Sequence, residues 1–149
     1  MKKYTIQFDL SGLLVFLMVM IPNFIWFAVP APNDVLRNES VTPTLDLIAS
    51  IFQVIMVGLL CLVRNKSVSH IRFPSVKMVL CSLSVLLYFT AWIAYSTGIV
   101  TAAVLLALCI FPCAAFFFFE AEKKNYLAMI PTAGFTVLHL LYGIVNFVV

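Results

Sequence analysis

The chain has 149 residues, of which 64% are hydrophobic and 10% charged, whereas charged residues make up about a quarter of a typical soluble domain. That composition excludes an ordinary soluble fold. The net charge is +3, but the basic residues are dispersed among several segments, which argues against a nucleic-acid footprint, and no nucleic-acid partner is expected.

The apolar residues fall into five runs, 10–29, 45–63, 78–95, 99–119 and 127–148. Each approaches the roughly 20 residues that a helix needs to cross about 30 Å of hydrocarbon. They predict an all-α polytopic membrane protein, one domain over 1–149, built as a single bundle of five transmembrane helices in the lipid bilayer.

The first run follows Lys2 and Lys3 and contains Pro22-Asn23, with Trp26 one turn later. It is longer than the roughly 7–15 residue apolar region of a secretory signal, so it reads as a retained helix. The segment after it carries Asp34, Arg37 and Glu39. In the second run Asp46, Ser50 and Gln53 stand at i, i+4 and i+7 and share one face. Arg64, Lys66, Arg72 and Lys77 follow, with His70 as a solvated loop residue among them.

On the third helix Cys81, Ser84, Tyr88, Trp92 and Tyr95 make an aromatic-rich stripe, and its last two members also suit the headgroup level. A tight Ser96-Thr97-Gly98 turn leads to the fourth helix, which has small residues at Ala103, Ala107, Cys109 and Ala114 and no comparable polar group. Its run from Phe116 to Phe119 is expected to meet lipid. Lys123 and Lys124 precede the fifth helix, where Thr132, Thr136, His139, Gly143 and Asn146 share one face. Val137, Leu141, Ile144 and Val148 lie opposite, so that helix shows one side to protein and the other to lipid.

Eight of the nine Lys and Arg residues fall in alternate segments, and only Arg37 falls on the other side. The positive-inside rule then places the amino terminus in the cytoplasm and the carboxyl terminus, Val149, outside, in the plasma membrane. With that orientation and a rise of about 1.5 Å per residue, Asn23, Gln53, Tyr88 and His139 come out at one level, roughly 9–12 Å below the outer surface. Asp46 and Asn146 come out above them, near the rim.

Polar groups in hydrocarbon are costly unless partnered, so these side chains are expected to point inward. The residues Asn23, Asp46, Gln53, Tyr88, Trp92, His139 and Asn146 are read as an outward-facing polar cavity that binds or transports a small polar or amphipathic ligand, a lipid included. His139 is its natural titrating member, since an imidazole changes charge near neutral pH. A structural or accessory subunit of a membrane complex, bonding the same groups between helices, is the alternative reading. An intramembrane hydrolase or transferase using Ser50 and His139, with Asp46 as third member, is another, but Ser50 lies in a regular helix and no oxyanion donor can be named.

Cys61, Cys81, Cys109 and Cys113 lie within the runs without Cys-x-x-Cys spacing and read as small packing residues. No metal-pair spacing or Gly-rich phosphate loop is present, and no cofactor or metal is expected. Small residues four apart, Ala103 and Ala107, are compatible with a homodimer or a larger membrane assembly. No residue pattern marks a known family.

Overall fold

The computed structural model describes residues 3–68 and 71–148; Lys2, His70 and Val149, read above as a basic flank, a loop residue and the outer terminus, lie outside them. Five helices make up most of it: α1 (Leu10–Ala28), α2 (Pro43–Leu62), α3 (Val76–Ser96), α4 (Ala102–Glu122) and α5 (Tyr126–Phe147). All are long and apolar enough to cross a membrane, which marks an all-α integral membrane protein.

Local chemistry sets where the helices begin and end. Asp9 caps α1 by accepting from the backbone N–H groups of Ser11 and Gly12, Ser75 caps α3 through Met78 N, and Asn125 caps α5 through Ala128 N. Pro43 opens α2 at a position where its missing N–H costs nothing. α1 stops before Pro30, because the residue preceding a proline is pushed toward extended backbone, and Val29 adopts it.

The fourth helix begins later than its apolar run suggests. Gly98, at φ 88°, turns the chain after α3, and Thr101 then caps α4 by accepting from Val104 N, which leaves Ile99 and Val100 in the connection. At its other end α4 runs past Phe119 to Glu122, which draws Glu120 into the helix.

Two short strands precede α1 and follow α2, and no apolar run signals them. β1 (Tyr4–Ile6) pairs antiparallel with β2 (Val63–Asn65), Tyr4 opposite Asn65 and Ile6 opposite Val63. The pair ties the start of α1 to the end of α2. A second constraint acts in the first turn of α1, where a Cβ on Gly12 would stand 2.4 Å from the Leu60 carbonyl oxygen. The two backbones approach too closely there for any side chain.

The core lies where α4 packs between α3 and α5, with α2 against α5. The helical period divides the phenylalanine run, contrary to the expectation that it meets lipid: Phe116 and Phe119 are buried, while Phe117 faces out. Tyr95 and Trp92 are likewise core residues and not headgroup anchors, Tyr95 being fully buried. α1 is the least embedded helix, with only Gly12, Val19 and Pro22 buried.

Candidate functional site

The end of the bundle that carries Lys3, Arg64, Arg72, Lys77, Lys123 and Lys124 is closed by polar bonds. Lys123 Nζ lies 2.7 Å from Asp9 Oδ2 and donates to Ser11 Oγ at 3.1 Å, and Ser11 also bonds Asp9. Both charged side chains are about nine-tenths buried. Burial alone raises the Asp9 pKa, but hydrogen bonds from Lys123 and Ser11 hold it below the ordinary 3.8.

Asn125 donates to the carbonyls of Leu59 and Val63, satisfying acceptors at the end of α2, and Asn65 donates to the Lys124 carbonyl. Just above this layer Glu120, fully buried, has Oε1 2.7 Å from Thr132 Oγ1, and its second oxygen has no protein partner.

At the opposite end the connection between α1 and α2 folds back over the helices. Asp34 gathers four donors. Trp26 Nε1 donates to both carboxylate oxygens at 2.9 Å, the Tyr95 hydroxyl donates at 2.8 Å, Arg37 Nε at 2.8 Å and Ala31 N at 3.4 Å. Its partial burial raises its pKa, but the donors, Trp26 and Tyr95 before Arg37, hold it below 3.8.

Between these layers lies a cavity of about 490 Å³ with lining residues from all five helices. Of the residues read as a site, Asn23, Asp46, Gln53, Tyr88, Trp92 and His139 line it, together with Ser50. The i, i+4, i+7 spacing of Asp46, Ser50 and Gln53 aims one stripe of α2 inward, and His139 answers it from α5 with its ring stacked on Phe135 at 4.8 Å. Asn146 goes elsewhere. It accepts from Val41 N at 2.8 Å and Ser40 Oγ at 3.2 Å and donates to Thr42 Oγ1, which pins the segment leading into α2.

Hydrogen bonding divides the lining into two groups. Asn23 Nδ2 donates to the Tyr88 hydroxyl at 2.8 Å and to Val19 O at 3.2 Å, an interhelical bond that holds α1 to α3. Among the described residues, the side chains of Asp46, Ser50, Gln53 and His139 make no hydrogen bond to protein, while the Trp92 ring stands edge-on to Tyr88 at 6.3 Å between centroids. Ser50 and His139 line the same cavity without a hydrogen bond between them.

Toward the basic end the lining turns apolar, with Phe16, Pro112 and Phe116, and beneath it Leu60, Cys81 and Ala128 are buried. Among the described residues no group of three or more His, Cys, Asp or Glu could hold a metal ion. The four cysteines are free and buried. Sequence reasoning passed over Asp9 and Glu120, and placed Asp34 beside Arg37 without its bonds to Trp26 and Tyr95; Asp9 carried a signal as the capping residue immediately before an apolar run. No family model, curated protein or solved structure matches the chain.

Proposed function

We propose that this protein binds a small amphipathic molecule in the cavity between its five helices, entering from the end that carries Arg37. The observation that carries this reading is the row formed by Asp46, Ser50, Gln53 and His139: four polar side chains that line one cavity and find no protein partner among the described residues. Asp46 and Ser50 are exposed and Gln53 and His139 half-buried, so the row stands open to water or to a ligand that enters the cavity. Groups serving only to hold helices together would bond to each other, as Asn23 and Tyr88 do.

The volume of about 490 Å³ falls within the roughly 300–1,000 Å³ of small-molecule sites. Polar groups toward one end and phenylalanines toward the other favour an amphipathic occupant over a purely polar one. With the positive-inside rule, the basic end is cytoplasmic and the cavity faces outward, in the plasma membrane. Closure of the basic end by the Asp9–Lys123 pair makes the arrangement one side of an alternating-access cycle or a binding site open on one face only.

Native mass spectrometry of the gently solubilised protein tests the reading. The wild type should carry a co-purified small molecule or lipid that His139→Ala and Gln53→Ala lose while remaining folded. A bare wild type that also binds no added amphiphile, with both variants altered only in thermal stability, would assign these residues to packing.

A further inference from the structure

Charge and ring content narrow what this cavity takes. Among the described residues no Lys or Arg lines it, and the one carboxylate in its lining is Asp46, in the first turn of α2. Asp46 forms no ion pair among the described residues, because Arg37, the basic residue at that end, is held by Asp34 at 2.8 Å and lies over the Trp26 ring. The walls beyond it are aromatic, with Trp26, Tyr88, Trp92, Phe135, Tyr142 and Phe147.

Position along the bundle gives the occupant a direction. Asp46 stands about 4.5 Å along α2 and Phe116 about 21 Å along α4, and both helices start at the Arg37 end, so the carboxylate lies toward the mouth and the phenylalanine deep in the bundle. Trp92, only 6% exposed, adds its ring to the wall beside Tyr88. A site lined by one unpaired carboxylate and aromatic faces attracts cations, through Coulomb attraction and through the ring quadrupoles. An anion would meet Asp46 with no compensating cation.

Resting on the reading that the cavity binds a ligand at all, we infer that its occupant is a single-headed organic cation: an ammonium group at Asp46 and an apolar chain or ring system extending toward Phe116. Compounds of this class enter head-up. Their tails pack against Phe16, Pro112 and Phe116.

Both tryptophans of the chain, Trp26 and Trp92, line the cavity, so intrinsic fluorescence reports its occupancy. The protein in phosphatidylcholine nanodiscs is titrated with decyltrimethylammonium, decanol and decanoate, which share a chain length and differ in head charge. The expected result is a saturable change with decyltrimethylammonium at least tenfold tighter than with the other two. Asp46→Asn should weaken the cation about tenfold and leave decanol unchanged, while Asp46→Glu retains the preference; far-ultraviolet dichroism verifies that both variants stay helical.

If decanol or decanoate saturates as tightly as the cation, or if folded Asp46→Asn binds the cation like wild type, the cationic assignment is overturned and binding in the cavity stands. If none of the three gives a saturable response, both are overturned.

Discussion

Lys123 Nζ lies 2.7 Å from Asp9 Oδ2, so the residue that caps α1 also holds the end of α4. Removing one member of such a buried pair leaves the other charge uncompensated, at a cost of about 3–5 kcal/mol. Lys123→Met should therefore lower the thermal midpoint steeply in detergent. The double variant Asp9→Leu with Lys123→Met should recover much of the loss, less the cap. Equal melting of Lys123→Met and wild type would show that the pair contributes nothing.

Acid should weaken the fold through the same residue and through Asp34. Both carboxyls have folded-state pKa values below the ordinary 3.8, so the stability they contribute is complete above that value and is lost as pH falls through the folded pKa. Thermal midpoints measured downward from pH 6 should hold until about pH 4 and then decline. Asp9→Asn should flatten part of that decline. A decline already complete at pH 5 would point to other groups.

Glycine substitutions separate a close approach from open space on neighbouring helices. Gly12→Ala drives a Cβ against the Leu60 carbonyl at 2.4 Å and should cost about 1–3 kcal/mol as α1 and α2 move apart. Gly58→Ala meets nothing within 4 Å and should be neutral or slightly stabilising. Similar midpoints for the two variants would contradict the tight crossing.

Tyr95 is fully buried, and its hydroxyl both donates to Asp34 at 2.8 Å and accepts from Leu36 N at 3.1 Å. Tyr95→Phe removes both bonds and should cost about 1–3 kcal/mol, with a shift in tryptophan emission as Trp26 loses its fixed carboxylate. Unchanged emission and unchanged melting would mean that the loop is held without this contact.

Helix number and the inward faces were legible because both are local and periodic. A run near 20 residues announces a crossing, and the 4-3-4-3 spacing from Thr132 to Asn146 announces a protein-facing stripe. Partners were not legible. Asn146 sits on the predicted face yet turns to Ser40 and Thr42, because the connection into α2 folds over that end of α5, and spacing within one helix carries no information about a loop.

Glu120 was missed for a related reason. Counted by hydropathy it falls outside the apolar run, whereas Lys123 and Asn125 at the turn let α4 continue to Glu122 and bury the carboxyl against Thr132. Phe116 and Phe119 show the limit of composition: four identical residues in a row have no face until the helix assigns one.

Accessibility of Ser50 tests the outward-open cavity most directly. In a background with Cys61, Cys81, Cys109 and Cys113 replaced by alanine, Ser50→Cys should react with a membrane-impermeant thiol reagent added outside intact cells, and added decyltrimethylammonium should slow the reaction. Ser84→Cys, buried on α3, should stay unreactive. Labelling of Ser50→Cys only after the membrane is opened would contradict both the orientation and the open cavity.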